Sequence, residues 1–260
     1  MYYSNGLEYI VQGYNIGNSY FTISYFSKSV DDNYAFNPTE QLIIEPIYAR
    51  ATSFPGYKKL QNYLSTYSID HSSIPEIFLN PTRPKTRFID DNNEVRTIVE
   101  ETFELMMKEK LPENISINIL PFPEFKSLHS AFGAWNNGIL GFSINGNKKS
   151  IFVRENHLDA LLLVIGHEIG HVLTDTLPNK HDEEAKAFAF SIEWAKTIKE
   201  NNVANLSLNI KDEIDFNPAR NGLHDVAFGF VDFIIKKGKQ AIDVHRDLIR
   251  GYLSVFDKIY

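Results

Sequence analysis

One segment constrains this chain more than any other. Residues 156–174 read NHLDALLLVIGHEIGHVLT. The run is apolar nearly all the way round a helix, so it predicts a helix buried on every side rather than one lying on a surface. Asn156 opens it, and Asp159 carries a negative charge into the first turn, where the helix dipole favours one. Leu177-Pro178-Asn179 is the stop. His167 and His171 stand four residues apart, which places both imidazoles on one face, one turn from each other. Two neutral imidazoles at that spacing can hold a single zinc ion at ~2.0–2.1 Å. Glu168, next to the first of them, points beside such a metal rather than at it. That is the position for a group that takes a proton from metal-bound water.

A zinc ion that acts on a substrate keeps three protein ligands and one open position. The chain has no cysteine, which excludes thiolate ligands, disulfides and a cysteine nucleophile together. The oxygen and nitrogen donors that follow the helix at once are His181, Asp182, Glu183 and Glu184. A second helix is expected over 182–200, with Ala185, Phe188, Ala189, Ile192 and Ala195 as its packing stripe. Glu184 shares a face with Phe188, and a carboxylate in a first turn is favoured by the dipole in any case. On the residues alone all four candidates stay open.

The segment HEIGHVL, residues 167–173, resembles the active-site helix of the zincin metallopeptidases. The elements expected before it are similar in order to that fold: a helix over 92–110, a strand over 115–120, and a strand pair over 138–145 and 150–154 joined by the Asn145-Gly146-Asn147 turn. The resemblance implies an α+β, zincin-like catalytic domain with a backing helix, a small mixed sheet, the active-site helix and C-terminal helices, the last expected over 222–237 and 239–258. It implies Zn2+ as cofactor, a protein or peptide as substrate, and hydrolysis of the peptide bond with Glu168 as general base. It also implies an edge strand that lines the cleft and pairs with substrate, for which 138–145 is the candidate. A metzincin would carry a histidine where this chain has Leu177, so that pattern fails. EEAKAFAF, residues 183–190, is similar to the segment of ImmA-like peptidases in which Glu is followed by Ala and then Phe-Ala. Those are gluzincins that cleave phage-type repressors, and on that match Glu184 is the third ligand. Gluzincins also use a later His or Tyr beside the metal to stabilise the oxyanion. His224, in Asn221-Gly222-Leu223-His224-Asp225, is the candidate, with Arg220 and several tyrosines competing. His71, His129, His157 and His245 are read as structural or solvated.

The rest of the chain sets the frame. With 260 residues and 43% hydrophobic content, it can build a core without staples. A net charge of −7 opposes nucleic acid as a partner. No run of ~18 apolar residues predicts a membrane span, and residues 1–6 lack the basic start of a secretory signal. With the missing cysteines, this leads to the expectation of a cytoplasmic protein. Residues 1–84 read as a β-rich N-terminal segment, with strands over 7–11, 20–26 and 41–49 and a short helix over 57–67. Asn80-Pro81-Thr82-Arg83-Pro84-Lys85 marks the passage to a catalytic domain over 85–260. The N-terminal segment is expected to be a structural layer, a docking module or a latency segment over the cleft. The competing reading of the whole is a zincin-fold binding or regulatory protein without proteolytic activity.

Overall fold

The helix that carries the two histidines lies at the centre of the molecule. The computed structural model describes residues 14–16, 19–26, 74–90, 92–133, 135–214 and 222–256, the first two stretches as backbone. In chain order the elements are β1 (Tyr14–Ile16), β2 (Ser19–Phe26), α1 (Ile74–Phe78), β3 (Phe88–Ile89), α2 (Asn92–Met107), β4 (Ile115–Leu120) and α3 (Phe122–Ser130). They continue with β5 (Gly141–Asn145), β6 (Lys149–Arg154), β7 (Asn156–His157), α4 (Leu158–Val172), α5 (Lys180–Glu200), a 3-10 turn (Val203–Asn205), α6 (Leu223–Lys236) and α7 (Ala241–Ile249). This is an α+β architecture. The strands expected over 7–11 and 41–49 and the helix over 57–67 lie outside the described residues.

Five strands form a mixed sheet in the order β1-β2-β5-β6-β4. β4 runs parallel to β6, and the other neighbours are antiparallel. Side chains alternate between the faces. Ile151 and Val153 join the main core with α4, while Phe142 and Phe152 stack at 5.0 Å on the opposite face, where Phe125 of α3 closes a second, smaller core.

Every residue of α4 is buried. Leu161, Leu162, Leu163, Val164, Ile165 and Ile169 drive this, at ~1.5–3 kcal/mol for each large apolar side chain removed from water. Together they amount to roughly 9–18 kcal/mol, which favours carrying two imidazoles and a carboxyl inside with them. The helix begins at Leu158 rather than Asn156, because Asn156 and His157 pair with Ile89 and Phe88. α5 begins at Lys180, two residues earlier than expected, because the Asn179 side chain caps it by accepting the His181 N–H. α2 stops at Met107, where Lys108 turns into the left-handed region with φ 61°. The last helix ends at Ile249 rather than 258, ahead of Gly251 with φ 69°. Among the described residues no helix is long and apolar enough to cross a membrane.

Helix α3 was not anticipated. Its signals are Pro121 and Pro123 at the start and Phe125 and His129 four apart on the buried face.

Asp159 does more than complement the dipole. Its carboxylate is buried and accepts from Arg83 Nε (2.8 Å), Thr86 Oγ1 (2.8 Å), Asn209 Nδ2 (3.0 Å) and the Ala160 N–H (2.9 Å). It thereby ties the 80–86 segment and the 206–210 turn to the first turn of α4. Burial alone would raise its pKa, but these donors outweigh burial and lower it. Asp159→Ala is expected to cost about 3 kcal/mol in urea unfolding, the lower end for a broken buried pair, because Arg83 is itself 28% exposed and can turn to solvent. A carboxyl depressed in the folded state stabilises above its unfolded pKa and loses that contribution as pH falls through the folded pKa. The stability gap between wild type and variant should therefore narrow in acid.

Candidate metal centre

Two glycines decide how closely the helices that form the site approach. A Cβ on Gly170 would lie 2.9 Å from Ala187 Cα and 3.0 Å from Phe190 Cβ, and one on Gly166 would lie 2.4 Å from Trp194 Cδ1. α5 thus presses its backbone against α4, and Trp194 fits over Gly166 and donates from Nε1 to Leu162 O at 3.0 Å. Glu184, one turn before Phe188, arrives beside the histidine pair as a result. Alanine is a better helix former than glycine by about 1 kcal/mol. Gly170→Ala should nonetheless destabilise the protein by roughly 1–3 kcal/mol, because overpacking against backbone dominates. It should also weaken metal retention in a chelator competition, because Glu184 is pushed off the histidines.

The three donor groups converge. His167 Nε2 and His171 Nε2 are 3.1 Å apart, and Glu184 Oε2 is 3.6 Å from the first and 3.8 Å from the second. A circle through three points so spaced has a radius of about 2.0 Å, the length of a metal–imidazole bond. All three side chains are buried, and together they form a group that can hold a metal ion. The two Nε2 atoms face each other at 3.1 Å, an arrangement that a shared proton or a metal ion between them stabilises. Glu184 Oε2 faces the ring nitrogens of His224, His167 and His171 at 3.2, 3.6 and 3.8 Å, and a buried carboxylate in that position is stabilised by positive charge beside it.

The electrostatics divide the two rings. Burial pushes the His167 imidazole down to about 4, which keeps it neutral as a ligand must be. For His171 burial pulls downward too, but the Glu184, Glu183 and Glu168 carboxylates outweigh it and raise the imidazole. Glu184 is held well below the usual carboxylate range, since His224 and His171 overcome its burial.

Glu168 stays outside this triad, beside β5. A Cβ on Gly141 would lie 3.1 Å from Glu168 Oε1 and 2.5 Å from Val164 Cγ1, so only glycine there leaves the carboxyl its place. Burial pushes the Glu168 carboxyl up to about 8. His224, in the first turn of α6, brings Nε2 to 3.2 Å from Glu184 Oε2. Its side chain is 13% exposed, against none for Glu184.

The other candidates for the third ligand point elsewhere. Glu183 lies behind His171, with Oε1 2.9 Å from Nδ1. The His181 ring meets Phe256 at 5.0 Å, and Asp182 accepts from Ser254 Oγ and the Val255 N–H. His129 packs against Trp135 and Phe142, His157 Nδ1 donates to Thr86 O, and His245 Nδ1 donates to Lys186 O. His71 and Arg220 lie outside the described residues. Sequence reasoning passed over Ser191 and Lys186, both in contact with the histidine helix. The signal for Lys186 was a lysine inside the Ala-Phe run of 183–190, where a cation has to be buried.

One expectation is corrected here. The strand expected over 138–145 as a cleft edge is β5, and it is not an edge. It lies between β6 and β2, with Thr22 to Phe26 opposite Asn145 to Gly141 in antiparallel register. The free N–H and C=O groups that suit a sheet edge to peptide capture pair as readily with a strand of the same chain.

Compared with protein-family models, with curated proteins and with solved structures, the chain matches none.

Proposed function

We propose that this chain is a zincin-like, zinc-dependent metallopeptidase of the gluzincin kind, with His167, His171 and Glu184 as zinc ligands. The observation that carries the reading is the convergence of the three donors on one point about 2.0 Å from each. Zinc, when bound, supplies Lewis acidity to a water and to the scissile carbonyl. Glu168 takes the water proton and passes it to the leaving amine. Burial pushes the Glu168 carboxyl up to about 8, so it becomes a base at neutral pH only when a cation bound beside it lowers that value and frees the carboxylate. His224 faces the triad from the head of α6 and serves as the second donor to the developing oxyanion. The substrate is a protein or peptide, and the site of action is the cytoplasm.

The test is a screen of the full chain against a degenerate peptide library. Cleavage is expected with zinc, lost on chelation and restored by one equivalent of zinc. Zinc bound one per chain with no cleavage of any peptide favours the alternative, a zincin-fold binding or regulatory protein.

The pairing of β2 along β5 favours a latent form of the same enzyme. An extended peptide can add to β5 on that side only if Ser19–Phe26 leaves. Ser24→Pro disfavours a strand in the middle of β2, and in a latent enzyme it raises the cleavage rate in the same screen.

A further inference from the structure

Glu183 and Glu184 are neighbours in the first turns of α5, yet they face different sides of one imidazole. Glu184 Oε2 lies on the Nε2 side of His171, and Glu183 Oε1 lies 2.9 Å from Nδ1 on the other. A carboxylate only accepts, so Nδ1 carries the hydrogen, and in the neutral ring Nε2 presents its lone pair toward His167 and Glu184. Glu183 Oε2 is taken as well, by the Leu177 N–H at 2.7 Å and Lys186 Nζ at 2.9 Å. The buried Lys186 ammonium is in turn fixed by His171 O (3.2 Å), Thr174 Oγ1 (3.3 Å) and Asp175 O (3.2 Å), all at the C-terminal end of the histidine helix. Both charges of the pair are withdrawn from solvent, and each holds the other in place.

The second histidine is oriented more weakly. His167 Nδ1 lies 3.1 Å from Ser191 Oγ, whose own hydrogen goes to Ala187 O at 2.8 Å, so Ser191 accepts from His167. A hydroxyl does for His167 what an anion does for His171.

We infer that Glu183 is a positioning residue of the metal centre, with Lys186 as its counter-ion: it fixes His171 with Nδ1 protonated and Nε2 free to bind the metal. The inference rests on the zinc site proposed above. Outer carboxylates of this kind change metal affinity by ~10–100-fold when removed. An alternative role is purely structural, the Glu183–Lys186 pair closing the turn between α4 and α5.

The double variant Glu183→Leu/Lys186→Met separates the two. Removing both members of the pair together leaves no unpaired buried charge; it takes the acceptor from His171 and also leaves the Leu177 N–H without its carboxylate, which lowers stability by a moderate amount. Zinc affinity, measured on the full chain by competition with a chromophoric chelator, is expected to fall ~10–100-fold in a double variant whose zinc-free form still unfolds cooperatively in urea. A folded double variant that binds zinc as tightly as wild type overturns the inference. Glu183→Gln provides the second measurement. In the zinc-loaded wild type the His171 Nδ1–H should give a low-field, slowly exchanging proton resonance, and in Glu183→Gln it should move upfield. A wild-type spectrum with no such resonance, or one that Glu183→Gln leaves in place, also overturns it. A wild-type chain that binds no zinc at all contradicts the metal centre itself, which is a different failure.

Discussion

Glu168→Gln is expected to keep its metal and to hydrolyse peptides about 10²–10⁴-fold more slowly, the span of a lost general base. The separation of the two properties is the point of the substitution. Glu168 is absent from the donor triangle, so zinc content should not change. Glutamine has the same shape and fits the space left by Gly141, where a Cβ would already crowd Oε1 at 3.1 Å. The variant also removes a buried carboxyl that burial holds up to about 8. The zinc-free protein should therefore unfold at the wild-type urea concentration or above it. Zinc content by elemental analysis and peptide turnover, read on the same preparation, decide the matter. Equal turnover in variant and wild type removes Glu168 from the chemistry.

His171→Ala has the largest expected effect on the metal. It removes one donor of the triangle, and it strands Glu183, whose Oε1 then has lost its imidazole partner. Two ligands from one chain do not hold zinc at micromolar levels against a chelator as three do, so the variant should bind no stoichiometric zinc. A metal that binds only the folded state adds ~4 kcal/mol of stability at 1,000 times its dissociation constant. Adding zinc should therefore raise the unfolding midpoint of the wild type and leave that of His171→Ala where it was. A zinc-dependent shift of the same size in both would place the metal elsewhere in the chain.

Much of this arrangement was legible in the residues because short-range periodicity decided it. His167 and His171 sit on one face because four residues make about one turn, and α4 is buried because its apolar side chains leave no polar face. Glu184 was harder to separate from its neighbours. His181, Asp182 and Glu183 occupy the same turn, and what tells them apart is the crossing of α5 over Gly166 and Gly170, a contact between helices that no local pattern encodes. The packing of Lys186 under the end of α4 is of the same kind. The place of β5 inside the sheet, rather than at its edge, depends on a partner more than a hundred residues away in sequence. Pairing at that distance leaves no trace in either strand's own alternation. α3 escaped for a different reason: the two prolines at its start suit a turn as well as a first helical turn, so they do not by themselves mark a helix.

The most direct test of the central claim is a crystal structure of the zinc-loaded full chain with anomalous diffraction at the zinc edge. One zinc is predicted, bonded to His167 Nε2, His171 Nε2 and a Glu184 oxygen at ~2.0–2.2 Å, with Glu183 hydrogen-bonded to His171 and off the metal. A zinc ion held by Glu183 or His181 in place of Glu184, or an anomalous peak away from the two histidines, would contradict it.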